Sequence, residues 1–179
     1  MIILFQFFVF LQAHAQDNEF AATAFYNEFK KIYNDAQLEF STCKGVQKKT
    51  GYEELQSEFR AKCILPLADS GKIIIPARAN PYAVYYFEPN KTRLKIDQLG
   101  VNLRDAVVST FGQQLFARTE TYIANNYPFT NTLFFTDPNE DRLQEAIFRQ
   151  CIYYYNGKYY MSFEIRGKKL NQDHQINIH

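Results

Sequence analysis

The chain has 179 residues and a formal net charge of +1; 46% of it is hydrophobic, with 17 phenylalanines, 13 tyrosines and no tryptophan. A charge so close to balance, with no block of one sign, excludes the basic footprint of a nucleic-acid binder, and Lys44, Lys48 and Lys49 around Gly45 read as a solvated turn. The scattered cysteines lack the paired spacing of a zinc site, and there is neither a P-loop nor a GxGxxG pattern, so no metal and no cofactor is expected.

Residues 1–15, "MIILFQFFVFLQAHA", form an apolar run that ends in Ala13-His14-Ala15, the small-x-small pattern of signal-peptidase sites. The run is too short for a stable membrane span. This predicts export, to the periplasm or outside the cell, with a mature chain beginning at Gln16 and one globular domain over 16–170. The polar stretch 171–179, "NQDHQINIH", reads as a flexible tail. It holds His174 and His179, the only histidines that cleavage would leave, which argues against Ser/His/Asp or Cys/His chemistry.

From Asp17 the period is helical, with Phe25, Phe29, Ile32 and Ala36 on one stripe. Around Leu38, Phe40 and Thr42 the period shifts to two, predicting a strand that enters a "KGVQKKTG" turn. Cys43 and Cys63 flank the polar segment that follows and are the favoured disulfide pair, leaving Cys151 free; three buried thiols are the alternative. Next come a turn at Asp69-Ser70-Gly71, a short strand Ile73–Ile75, a turn at Asn80-Pro81 and an aromatic strand Tyr82–Phe87. Pro76 places its strand at an edge or a bulge. Asn90-Lys91-Thr92 is a glycosylation sequon in a loop.

A second helix is read from Asn102 to about Asn125, with Val108, Phe111 and Leu115 facing the core. "TNTLFFTDPNEDR" follows as a strand and a turn. Its "DPNED" imitates the start of a calcium loop, but Arg142 replaces the glycine and Phe148 the closing glutamate, so Asp137 is a cap or turn former.

The last element, "CIYYYNGKYYMSF", is a hairpin on Asn156-Gly157, the pair that a type I′ turn requires. A two-residue loop sets the register: Tyr155 faces Lys158, Tyr153 faces Tyr160 and Arg149 faces Glu164. Alternation then puts Phe148, Gln150, Ile152, Tyr154, Tyr159, Met161, Phe163 and Ile165 on the core face. Tyr153 and Tyr160, with Tyr155 near the turn, point the other way.

The predicted fold is α+β: an antiparallel sheet of about five to seven strands, packed on one face by two helices, in the order α-β(2–3)-α-β(3). The expected function is a non-enzymatic binding module whose aromatic sheet or loop surface meets a protein, peptide or glycan. Its candidate binding residues are Tyr153, Tyr155, Tyr160 and, on the first aromatic strand, Tyr85. The alternative is an extracytoplasmic hydrolase using a free cysteine or carboxylates such as Glu88, Asp137 or Glu145.

Overall fold

The computed structural model describes residues 23–169 apart from 50, 52–53, 113, 125–126, 141 and 144. The expected leader 1–15 and tail 171–179 lie outside the described residues. Two helices pack on one antiparallel sheet of eight strands, more than the five to seven expected. Helix α1 (23–36) precedes β1 (Lys44–Lys48), β2 (Gln56–Ala61), β3 (Ala68–Pro76) and β4 (Tyr82–Asn90). Helix α2 (Arg93–Phe111) precedes β5 (Phe116–Ala124), β6 (Tyr127–Phe135), β7 (Phe148–Tyr155) and β8 (Lys158–Arg166). The strand order is β1-β2-β3-β4-β8-β7-β6-β5. Each half is thus a helix followed by a four-stranded meander, and the meanders join through their last strands.

The α1 stripe is as read: Phe25, Phe29, Ile32 and Ala36 are all buried. They meet Phe148 and Phe163 of the terminal hairpin, and Phe29 lies 5.3 Å from Phe148 between ring centroids. Helix α2 adds Ile96, Leu103 and Val107 to the same core. Gly100 is the point of closest approach, since a Cβ there would stand 2.4 Å from Gln150 Nε2.

Several local readings are corrected. Residues 38–42 are not a strand: Glu39 and Phe40 take left-handed φ values of 53° and 55°. That bend lets buried Asp35 accept hydrogen bonds from the backbone N–H groups of Thr42 and Cys43 and from the Ser41 hydroxyl. Burial alone would raise its carboxyl pKa, but these donors hold it below the ordinary range. The expected "KGVQK" turn is instead strand β1. Asp69-Ser70-Gly71 lies inside β3, where a register shift between Ala68 and Ser70 absorbs the turn-like chemistry. Pro76 closes β3, an interior strand, at a position where β4 has already ended.

The largest correction concerns α2. It starts after Thr92, not at Asn102, and stops at Gly112, whose φ of 70° is a left-handed cap. Beyond it, Phe116–Ala124 is a strand. Val108 is therefore exposed, and Phe111 and Leu115 are only partly buried.

Cys43 and Cys63 form a disulfide with Cα atoms 5.1 Å apart, tying the end of the α1 turn to the segment after β2. Cys151 is free and buried.

Candidate aromatic interface on the open sheet face

Alternation along the strands divides the sheet into a helix-covered face and an open one. The terminal hairpin has the register expected for it, from Tyr155 opposite Lys158 to Arg149 opposite Glu164. Phe148, Gln150, Ile152, Met161, Phe163 and Ile165 are buried beneath the helices, while Tyr154 and Tyr159, near the turn, are half-buried.

On the open face, Tyr153 and Tyr160 belong to a longer row. Directly paired positions on four neighbouring strands are aromatic: Tyr122 opposite Phe129, Phe129 opposite Tyr153, and Tyr153 opposite Tyr160. Their ring centroids are 5.5, 5.3 and 5.2 Å apart, with interplanar angles of 7°, 18° and 9°. The centroid separations match the spacing of adjacent strands, so each inner ring has a near-parallel aromatic neighbour on both sides.

A second, shorter row runs beside the first. Tyr155, which is 47% exposed, meets Tyr127 edge-on at 5.3 Å and leans toward Tyr160 at 6.5 Å. Six aromatic side chains from β5 to β8 thus form one patch. The sequence named three of them. Tyr122, Tyr127 and Phe129 were missed, because their place beside the hairpin depends on the pairing of β5, β6 and β7. The alternation Phe116-x-Arg118-x-Glu120-x-Tyr122 was the available signal for β5.

Tyr85 is not on this surface. It lies opposite Phe163 on the helix-covered face, has 0% exposure and fills the space above Gly71. Burial pushes its phenol pKa far up. With aromatics on both sides of its strand, periodicity could not choose its direction.

The aromatic rows shield polar neighbours. Asn131 is buried and donates to the Tyr122 hydroxyl at 3.3 Å, while Cys151 is buried one position along the strand face from Tyr153. Burial raises the Cys151 thiol pKa, partly opposed by nearby Arg149. Burial likewise raises the Tyr153 phenol.

The other half of the open face is charged and internally paired. Glu164 sits between Arg149 and Arg166, at 3.7 and 2.7 Å, and Glu58 sits between Lys48 and Lys72, at 3.6 and 3.4 Å. Lys72 and Arg166 also lie 5.9 Å from the Tyr86 and Tyr82 rings. On the same face, toward the end of β6 that pairs with Phe116, Leu133, Phe135 and Ala146 make a small separate apolar cluster.

The carboxylates considered for hydrolysis do not converge. Glu88 is exposed on β4, Asp137 accepts from the backbone of Asn139 in a turn, and Glu145 is ion-paired with Arg142. Among the described residues no three His, Cys, Asp or Glu side chains are grouped to hold a metal ion, and no helix is long and apolar enough to cross a membrane. Comparison with protein families, curated proteins and solved structures found no match for this chain.

Proposed function

We propose that this protein is an exported, non-enzymatic binding module that holds a peptide or protein segment on its open sheet face, over the rows of Tyr122, Phe129, Tyr153 and Tyr160. The observation that carries this reading is the row of near-parallel aromatic rings across four strands. A glycan is held chiefly by an aromatic face laid flat against the sugar, and the inner rings of this row are flanked on both sides by other rings. A row of rings with phenolic hydroxyls suits a polypeptide, whose carbonyls accept from the hydroxyls and whose apolar side chains lie along the row. The disulfide between Cys43 and Cys63 is compatible with an oxidising compartment. A buried Cys151 thiol with a raised pKa is a poor nucleophile, which favours this reading over a cysteine-dependent hydrolase.

The test is selection of phage-displayed random peptides against the mature chain, followed by titration of the selected peptides into the parent and into Tyr153→Ala with Tyr160→Ala. The parent should bind and the double variant should bind at least about tenfold more weakly, a loss worth about 1.4 kcal/mol. Equal affinity for both would remove the open face from consideration. Retention on a glycan array by the parent alone would replace the peptide with a sugar.

A further inference from the structure

The sheet has two edges, and they are unlike. The β1 edge is short, carries Lys44 and Lys48, and shifts register between Lys44 and Gln47, all devices that discourage a further strand. Strand β5 has none of them. It pairs with β6 through nine consecutive positions without a shift, and no other strand among the described residues pairs with it.

The sequence of β5 is complementary to itself. Read outward from Thr119, "FARTETY" places Arg118 against Glu120, Ala117 against Thr121 and Phe116 against Tyr122. In an antiparallel pair these are the positions that two copies related by a two-fold axis at Thr119 bring face to face. The open face would then contain two Arg–Glu pairs flanked by two aromatic pairs, and the other face would contain threonines and alanine. A shift of the axis by one residue, to Glu120, would instead set the two Glu120 carboxylates opposite each other and penalise that register.

We propose that the protein forms a symmetric dimer by antiparallel pairing of β5 with the partner's β5, centred on Thr119. Arg118, which in the single chain lies 3.1 Å from Glu120 two positions along its own strand, takes the partner's Glu120 directly across. Tyr122 meets the partner's Phe116. The aromatic row from Tyr160 through Tyr153, Phe129 and Tyr122 is thereby continued into the partner's Phe116 and Phe135, which are themselves paired across β5 and β6. The occupant is a second copy because the complementarity is internal to the strand: a different strand would not be expected to satisfy both Arg118 and Glu120 and both aromatic ends. This proposal does not depend on what the tyrosine rows bind.

Sedimentation velocity of the full mature chain, from about micromolar to about millimolar concentration, tests it. The parent should pass from monomer to dimer over this range. Glu120→Arg and Arg118→Glu should each weaken the dimer at least about tenfold, since each creates two like-charge pairs across the axis. The double exchange, Arg118→Glu with Glu120→Arg, restores the complementarity and should restore the dimer; at concentrations where the parent is monomeric, melting curves of all three variants should match the parent's. A parent that stays monomeric throughout overturns the proposal, as does association that ignores both single reversals or is not recovered in the double exchange. A monomer in which the outward amides of β5 are protected from hydrogen exchange would put another segment of the chain on this edge, and would equally overturn it.

Discussion

Phe148 and Tyr153 stand on the same strand and face opposite ways, and their surroundings differ in kind. Phe148 meets Phe29, Tyr33, Phe111 and Phe134 at interplanar angles of 55°, 57°, 89° and 66°, and lies closer to parallel, at 23°, only with Phe163. Tyr153 meets Phe129 and Tyr160 at 18° and 9°. Under the helices a ring has neighbours above it as well as beside it, and a mixture of tilted and parallel contacts fills that volume. On the open face Tyr153 has ring neighbours only across the strands, and both lie near-parallel to it. The same residue type thus builds a three-dimensional core on one side and a one-dimensional row on the other.

If that distinction holds, the largest loss should follow Phe148→Ala. This ring is fully buried among two helices and the sheet, and its removal should cost about 4 kcal/mol in urea unfolding. A cost near that of an open-face tyrosine would mean that the helices do not grip this face as described. Gly71→Ala probes the same side by addition. A Cβ there would stand 2.8 Å from two carbons of the Tyr85 ring and 3.2 Å from Ala61 Cβ. That ring cannot retreat, so the variant should lose about 2 kcal/mol, although alanine is normally the better residue in a strand.

On the open face, Tyr153→Ala interrupts the row between Phe129 and Tyr160 and should cost about 1 to 2 kcal/mol, for two stacked contacts at a partly exposed site. The same variant should uncover Cys151. Burial now raises that thiol pKa, so opening its surroundings lowers it and increases the thiolate fraction at any fixed pH below it. Reaction with a disulfide reagent at pH 8 should therefore accelerate about tenfold in native conditions, because thiolate fraction and access both increase. An unchanged rate would show that the row does not shield its neighbours.

What could be read from the sequence was what depended on short-range geometry. The Asn156-Gly157 turn determines every pairing of the terminal hairpin, and the stripe from Phe25 to Ala36 defines one side of α1. The helix read from Asn102 failed because Val108, Phe111, Leu115 and Tyr122 keep a nearly helical spacing across a break. Gly112 ends the helix there, and the two-residue alternation of β5 begins within four residues. The three hidden members of the aromatic patch had a different obstacle. Phe129 reaches Tyr153 only through pairing of β6 with β7, across a connection whose length leaves the register open.

The smallest effects expected come from removing single hydroxyls, and here the two faces should differ in sign. The Tyr85 hydroxyl is buried and has no hydrogen-bond partner among the described residues, so it bears a desolvation cost without return. Tyr85→Phe keeps the ring that covers Gly71 and deletes the unpaired group. It should therefore raise stability, by about 1 kcal/mol. Tyr153→Phe removes a hydroxyl from the partly exposed outward row, where it is not among the buried unpartnered groups, and stability should change by less than about 0.5 kcal/mol. The two variants have identical chemistry and differ only in the face on which the ring stands. Denaturant midpoints measured side by side should place Tyr85→Phe above the parent and Tyr153→Phe level with it. Stabilisation of both to the same extent would mean that the open row is as dry as the core, and the contrast between a packed volume and a solvated row would have to be abandoned.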